Sequence, residues 1–156
     1  MKLKKLAASI TAVATGVLGL TLLTAGPAAA ATGNWRPYGN TNPITSSPST
    51  WLCASTKTVT TDILAQVCVI RTPYPDTSNV QGAVIVRNNR SSLFSVQAAV
   101  DLSNQGGPFI DRWTCRSSGV AAHSWSVCFG ATIPNAFRTQ ARGGANGVDL
   151  GVTLGL

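Results

Sequence analysis

The chain has 156 residues, of which 44% are hydrophobic and only 11% are charged, with 12 Lys and Arg against five Asp and no Glu. Helices of soluble proteins are rich in Ala, Leu, Glu, Lys, Gln and Arg, whereas Thr, Ser, Val, Asn and Gly dominate after residue 31, where Lys57 is the only lysine. This composition excludes a long helical bundle and favours β-strands.

The first 30 residues have the layout of a secretory signal peptide. Lys2, Lys4 and Lys5 precede an uncharged stretch over residues 6–23, and an alanine-rich run ends near Ala30. We therefore expect residues 1–30 to be removed, leaving a secreted, extracellular protein with no membrane span. Without the signal peptide nine basic residues face five acidic ones. The arginines are spread along the chain rather than clustered, which argues against a nucleic-acid partner.

Residues 31–50 predict an extended N-terminal arm, because they lack periodicity and are rich in Pro, Gly, Asn and Ser. Trp35, Arg36 and Tyr38 cluster in this arm, and these residue types concentrate binding energy at protein interfaces. We expect these three residues to dock onto a partner protein. The alternative is that the arm folds back and Trp35 fills a gap at the edge of its own domain.

Residues 51–156 predict a single disulfide-stapled β domain. Val96, Ala98, Val100 and Leu102 alternate with polar residues, as in a strand with one buried face. Short strands at this spacing, separated by turn residues, predict an antiparallel β-sandwich or small barrel of about eight strands. The predicted strands are residues 52–60, 63–72, 80–88, 93–102, 109–117, 123–132, 137–142 and 148–154.

Four cysteines in an exported chain predict two disulfides, for which three connectivities are possible. The segment around Trp51 and Cys53 is echoed about 60 residues later around Trp113 and Cys115. Similar echoes surround the remaining two cysteines and suggest two related halves. If each half closes its own loop, the pairs are Cys53–Cys68 and Cys115–Cys128. Residues two apart share a face of a strand, so each Trp is expected to cover its neighbouring disulfide.

The sequence carries no catalytic signature. His123 is the only histidine, and neither a nucleophile motif nor metal-ligand spacing accompanies it, so we predict no metal and no cofactor. Asp101 and Asp111 flank a loop symmetrically, and a hairpin in that register would place the two carboxylates opposite each other, as a glycosidase requires. The competing interpretation is that Arg112 or Arg116 neutralises them, or that they cap turns or hold calcium.

The overall layout resembles the small secreted adaptor proteins of actinobacterial umbrella toxin particles. The resemblance rests on the signal peptide, the aromatic N-terminal arm and the compact four-cysteine β domain across residues 1–156. It implies a non-enzymatic adaptor in an antibacterial toxin complex. Such an adaptor docks onto a large repeat-containing toxin subunit and also holds a lectin-like subunit. For this chain the resemblance implies that Trp35, Arg36 and Tyr38 would dock onto the toxin subunit, and it assigns no residue to the lectin-like subunit.

Three alternatives to an adaptor remain open. A carbohydrate-binding module would use exposed tryptophans as a stacking platform for a glycan. A small hydrolase would use Asp101 and Asp111. A protease inhibitor would present the loop of residues 71–75.

Overall fold

A computed structural model describes residues 30–72 and 78–156, and the regular elements within these ranges are all β-strands. The predicted signal peptide lies outside the described residues, apart from Ala30. The described part of the chain contains no helix that is long and apolar enough to cross a membrane. The strands are β1 (Ala31–Thr32), β2 (Asn34–Gly39), β3 (Thr50–Cys53), β4 (Lys57–Thr60), β5 (Ile63–Arg71), β6 (Asn79–Asn88), β7 (Phe94–Asn104), β8 (Phe109–Val120), β9 (Ser124–Phe129), β10 (Ile133–Pro134), β11 (Thr139–Ala145) and β12 (Val148–Val152).

The strands form two sheets that pack face to face. Sheet A has the order β1-β8-β7-β11-β12, and sheet B has the order β2-β9-β6-β5-β3, with β4 joined to β5 and β10 joined to β6. The pairing of β1 with β8 is parallel, and the other pairings are antiparallel. The predicted all-β antiparallel sandwich is confirmed. Of the strands beyond the expected eight, β1 and β10 have two residues each, β2 is a six-residue strand within the predicted arm, and β3 and β4 divide the predicted strand 52–60.

The core between the sheets follows from alternation along the strands. On β7, Val96, Val100 and Leu102 are fully buried, whereas Ser95 and Gln97 are exposed. Residues of this kind from both sheets interdigitate in one main cluster. Burial of apolar side chains contributes about 25 cal/mol per Å² of apolar surface and is the dominant stabilising contribution to this core.

Sheet B differs from sheet A because it is apolar on both faces. Val67 and Val69 face the main core, whereas Cys68 and Ile70 on the same strand belong to a second cluster on the outer face. An uninterrupted apolar run of this kind is typical of a strand that is covered on both sides. The outer face is covered by half-buried side chains, namely Tyr38, Ile44, Trp51, Trp125 and Phe129.

The two disulfides are Cys53–Cys68 and Cys115–Cys128, which confirms the preferred pairing. Cys53 and Cys68 are register partners on the adjacent strands β3 and β5, within sheet B. Cys115 on β8 and Cys128 on β9 instead connect sheet A to sheet B across the core. The two echoed segments therefore occupy different topological positions, and the sequence echo does not correspond to a structural repeat.

The N-terminal segment crosses from one sheet to the other at Gly33. Before this residue, β1 pairs with β8 of sheet A, and after it, β2 pairs with β9 of sheet B. A Cβ atom at Gly33 would lie 2.7 Å from the Cys115 sulfur and 2.9 Å from the Phe129 carbonyl oxygen. Only glycine lets the chain pass this closely over the disulfide between the sheets.

Candidate functional site

Within the segment predicted as an arm, residues 31–39 are extended and form β1 and β2, which lie at the edges of sheets A and B. Trp35 is half-buried, packs against the main core and donates its indole N–H to the Arg116 carbonyl oxygen at 2.7 Å. Tyr38 is half-buried in the outer cluster of sheet B. Arg36 lies between them in sequence and is exposed. Two of the three predicted docking side chains therefore also pack against their own domain, as the alternative interpretation expected.

Arg36 lies beside a shallow concavity at the edge of sheet B. The concavity has a volume of about 490 Å³, and Asn34, Gln81 and Phe129 line it together with residues 130–132. Gln81 is held in place because its side-chain amide donates to the Gly130 carbonyl oxygen at 2.8 Å. Within the described residues, the Arg36 guanidinium makes no hydrogen bond or ion pair. This group is therefore available to an acceptor on another molecule.

The strand that carries Arg36 is an edge strand. β2 is the last strand of sheet B, so one side of its backbone bonds to β9 and the other side faces away from the sheet. Edge strands expose a row of N–H and C=O groups that can pair with a strand of another chain. Pro37 and the register shift between Pro37 and Gly39 interrupt this row toward the end of the strand. The accessible part of the edge is therefore short.

Residues 40–49 complete the cover of sheet B rather than extending into solvent. Ile44 packs on the outer cluster, and Pro43 is buried. Asn42 shapes the turn: its side-chain oxygen accepts the Ile44 N–H at 3.0 Å, and its carbonyl oxygen accepts the Ser46 hydroxyl at 2.9 Å. Asn is favoured at such turns because its side chain can bond to the following backbone.

The four tryptophans are all at least half-buried. Trp113 is 2% exposed in the main core, and Trp35, Trp51 and Trp125 are half-buried. Trp51 contacts Phe129 edge-to-face, with ring centroids 6.1 Å apart. Trp125 lies under the guanidinium carbon of Arg87, which is 5.1 Å from the ring centroid. These packing contacts favour a structural role for the rings over an open stacking platform for a glycan.

His123 lies in the turn before β9, and its backbone has a positive φ of 51°. Its backbone N–H donates to the Arg90 carbonyl oxygen, and its own carbonyl oxygen accepts from Arg87. The neighbouring Ser124 hydroxyl donates to the Ala122 carbonyl oxygen at 3.0 Å. Ser124 is thus engaged with the backbone and does not bond to the imidazole. No group of three or more metal-ligating side chains occurs in the described ranges.

The hairpin register that would place Asp101 opposite Asp111 is wrong. Asp101 lies opposite Arg112, and Asp111 lies opposite Leu102. A register shift between Leu102 and Ser103 moves the pairing by one residue, as a β-bulge does. The bulge thus replaces a carboxylate pair with an attractive cross-strand ion pair.

Arg112 binds Asp101 with two hydrogen bonds of 2.6 Å, one from Nε and one from Nη2. The hydrogen bond and the charge of Asp101 raise the pKa of Arg112 above its ordinary value. This ion pair matches the competing interpretation, in which an arginine neutralises the carboxylate. It removes the two-carboxylate geometry from which the hydrolase alternative was built.

Only part of the candidate protease-inhibitor loop, residues 71–75, lies within the described residues. Residues 73–77 lie outside the described residues. The Arg71 guanidinium, at the start of this loop, donates to the carbonyl oxygens of Asn135, Phe137 and Leu156 at 2.7–2.9 Å. These bonds connect β5 to the segment before β11 and to the chain after β12, so Arg71 has a role within the sandwich.

Comparison with known proteins identifies no relatives. No family model matches the chain, and no curated protein and no solved structure is significantly similar to it.

Proposed function

We propose that the protein is a secreted, non-enzymatic adaptor that binds other secreted proteins in an extracellular antibacterial toxin complex. Its docking surface is the edge of sheet B, formed by β2 with Arg36 and the adjoining concavity. The resemblance to umbrella toxin adaptors suggests the partners, namely a large repeat-containing toxin subunit and a lectin-like subunit. In this proposal Trp35 and Tyr38 position the strand, and Arg36 makes contact.

The observation that carries the proposal is the combination of an edge strand with an unpaired arginine. Addition of a strand to an exposed edge provides main-chain hydrogen bonds, and nearby pockets provide specificity. Arginine is enriched among the residues that dominate binding energies, because its planar guanidinium forms several directed hydrogen bonds. β2 offers both features at one place.

The contacts of Asp101 and Ser124 support a binding role over catalysis. Asp101 is neutralised by Arg112, and the Ser124 hydroxyl is bonded to a backbone carbonyl. Both groups are thereby held in structural interactions. The two disulfides are consistent with an extracellular protein, because such bonds persist in oxidising compartments.

The test is affinity purification of a tagged protein from native culture supernatant, followed by mass spectrometry. We expect the wild-type protein to retain a larger secreted protein in stoichiometric amount. Arg36→Glu should reduce this retention at least about tenfold, because one good charged contact contributes several kcal/mol at an interface. A point substitution is preferable to deletion, since residues 31–39 belong to both sheets.

Lys57→Glu is the matched control. Lys57 is exposed on β4, which pairs with β5 rather than with β2 or β9, and the substitution changes the charge by the same amount. We expect it to leave retention unchanged. Equal retention by wild type and Arg36→Glu would overturn docking through β2, and substrate turnover by the purified wild-type protein would overturn the non-enzymatic assignment.

A further inference from the structure

The outer face of sheet A carries a groove that the proposed adaptor function does not use. It has a volume of about 580 Å³, within the range of ligand sites in proteins. It runs across β7, β8, β11 and β12, so it lies on the sheet that does not contain β2. Its polar lining consists of Gln97, Asp101, Arg112, Thr114, Arg142, Asn146 and Asp149.

The groove is open because its lining includes the small residues Ala99 and Gly144. These two residues are register partners on β7 and β11. No long side chain arises from this pair, so a ligand can approach the backbone closely. Longer polar side chains arise from the neighbouring pair, Asp101 and Arg142.

The end of the groove near the β11–β12 turn is fixed by Asn146. Its side-chain oxygen accepts the Gln97 N–H at 2.8 Å, and its side-chain amide donates to the Ser95 carbonyl oxygen at 3.2 Å. The Asn146 N–H also donates to the Gln97 carbonyl oxygen at 2.9 Å. These bonds tie the turn to β7. The groove is therefore preformed, which lowers the cost of ordering it when a ligand binds.

The charged side chains of the groove are paired with each other. Arg112 binds Asp101, and Arg142 binds Asp149 at 2.8 Å. Two arginines and two aspartates give the lining a net charge of zero. Backbone and arginine hydrogen bonds keep the pKa of Asp149 below its ordinary value, so this carboxylate remains a hydrogen-bond acceptor near neutral pH. An anionic ligand would have to compete with the carboxylates for both arginines.

Hydrogen-bonding capacity nevertheless remains in the groove. Within the described residues, the side-chain amide of Gln97 and the hydroxyl of Thr114 form no hydrogen bonds. Arg112 uses Nε and Nη2 for Asp101, which leaves Nη1 free, and Arg142 uses only Nη2 for Asp149. The groove thus presents mixed donors and acceptors at fixed positions, with two arginines balanced by two aspartates in its lining.

We propose that this groove binds a neutral saccharide. Sugar hydroxyls are donors and acceptors at once, so they can satisfy paired carboxylates, guanidinium groups and amides without separating the ion pairs. An apolar ligand would leave these groups unsatisfied. The lining contains no aromatic residue, so recognition is through hydrogen bonds rather than ring stacking. This inference is independent of docking through β2.

The test uses neutral hexasaccharides of cellulose, xylan, mannan and chitin, titrated into the ¹⁵N-labelled disulfide-bonded protein up to about 5 mM, which suffices to detect a Kd near 1 mM. We expect at least one saccharide to shift the amide signals of groove residues. Gln97→Ala combined with Thr114→Val should weaken binding about tenfold, because two unpaired polar groups are removed. The backbone bonds of Gln97 to Asn146 do not need its side chain, so the fold should be retained.

Ala99→Trp tests the location by filling the groove, and Thr41→Trp, at an exposed position of the segment that covers the outer face of sheet B, is the matched control. We expect Ala99→Trp to abolish the shifts and Thr41→Trp to preserve them. Arg36→Glu should leave saccharide binding unchanged, which separates this proposal from the adaptor function.

The proposal is overturned if no neutral saccharide causes shifts, if binding persists in Ala99→Trp, or if only polygalacturonate, the anionic comparator, binds. Loss of a co-purifying protein on Ala99→Trp, without saccharide binding by wild type, would instead assign the groove to a protein partner.

Discussion

The two Trp-x-Cys segments have the same local pattern and opposite surroundings. In the segment on β8, Trp113 and Cys115 face the core between the sheets, and the disulfide joins sheet A to sheet B. In the segment on β3, Trp51 and Cys53 lie on the outer face of sheet B, and the disulfide joins adjacent strands. Trp113 is 2% exposed, whereas Trp51 is half-buried.

The difference shows what the motif determines and what it leaves to the fold. Spacing by two residues places each Trp and Cys on the same face of a strand, in both segments. The face that is buried, and how deeply, depends on the other strands. β8 is an inner strand of sheet A, between β1 and β7, whereas β3 lies at the edge of sheet B.

The largest expected difference follows from removing each disulfide. Both close short loops, of 13 and 15 residues, so loop entropy favours each by about 3 kcal/mol. Cys115 and Cys128 are both fully buried, whereas in the other pair Cys68 is fully buried and Cys53 is half-buried, so lost packing should add roughly 2 kcal/mol for the first pair and roughly 1 kcal/mol for the second. Urea denaturation should give a decrease in unfolding free energy of about 5 kcal/mol for Cys115→Ala/Cys128→Ala and about 4 kcal/mol for Cys53→Ala/Cys68→Ala. Equal decreases in unfolding free energy for the two double variants would contradict the placement of only Cys115–Cys128 in the core between the sheets.

Truncation of each tryptophan probes the same contrast without altering the covalent structure. Trp113→Ala should lower the unfolding free energy by about 4 kcal/mol, because it leaves a large cavity in the core. Trp51→Ala should cost about 2 kcal/mol, because this ring is half-buried and its neighbours can relax. If Trp51→Ala lowered the unfolding free energy more than Trp113→Ala in thermal or urea unfolding, the result would contradict a main stabilising core between the two sheets.

A smaller effect is expected when Trp51 is replaced by Phe. The indole N–H of Trp51 is buried without a hydrogen-bond partner among the described residues, and burying an unpaired polar group costs about 1–3 kcal/mol. Phe removes this N–H while keeping an aromatic ring, so the lost area and the removed penalty should nearly cancel. We expect a change within about 1 kcal/mol of zero by urea denaturation. Trp113→Phe serves as the comparison and should be clearly destabilising.

The smallest effect is expected on the exposed face of sheet A, at Asp149. The Gly151 N–H and then Arg142 lower its pKa from the ordinary value of 3.8. A carboxyl with a lower pKa in the folded state stabilises the fold above its unfolded pKa, and this contribution disappears as the pH falls through the folded pKa. Asp149→Asn should therefore lower the Tm slightly near neutral pH and not at strongly acidic pH. If the Tm difference between the wild type and Asp149→Asn grew as the pH fell, the result would contradict the hydrogen bonds that lower the pKa of Asp149.

Much of the strand pattern could be predicted from the sequence. The alternation at Val96, Ala98 and Val100 identified β7 and its buried face, and the echoed cysteines identified both pairs. The uninterrupted apolar run from Val67 to Ile70 also indicated that sheet B is covered on both faces. This run could have identified residues 40–49 as the outer cover, but only if the absence of a covering helix had been known.

Other features could not be predicted, because they depend on distant parts of the chain. The pairing of Asn34–Gly39 with β9 is set by the free edge of sheet B rather than by periodicity within the segment. The register of Asp101 depends on a bulge near Ser103, and a shift of one residue exchanges Asp111 for Arg112. The groove on sheet A combines residues from four strands, so no local motif marks it.

Hydrogen–deuterium exchange of the purified protein, alone and with its co-purifying partner, tests docking through β2 most directly. Amides of residues 34–39 that face away from β9 should exchange rapidly in the isolated protein and become protected in the complex. Unchanged exchange across β2, with protection elsewhere on the molecule, would contradict the account.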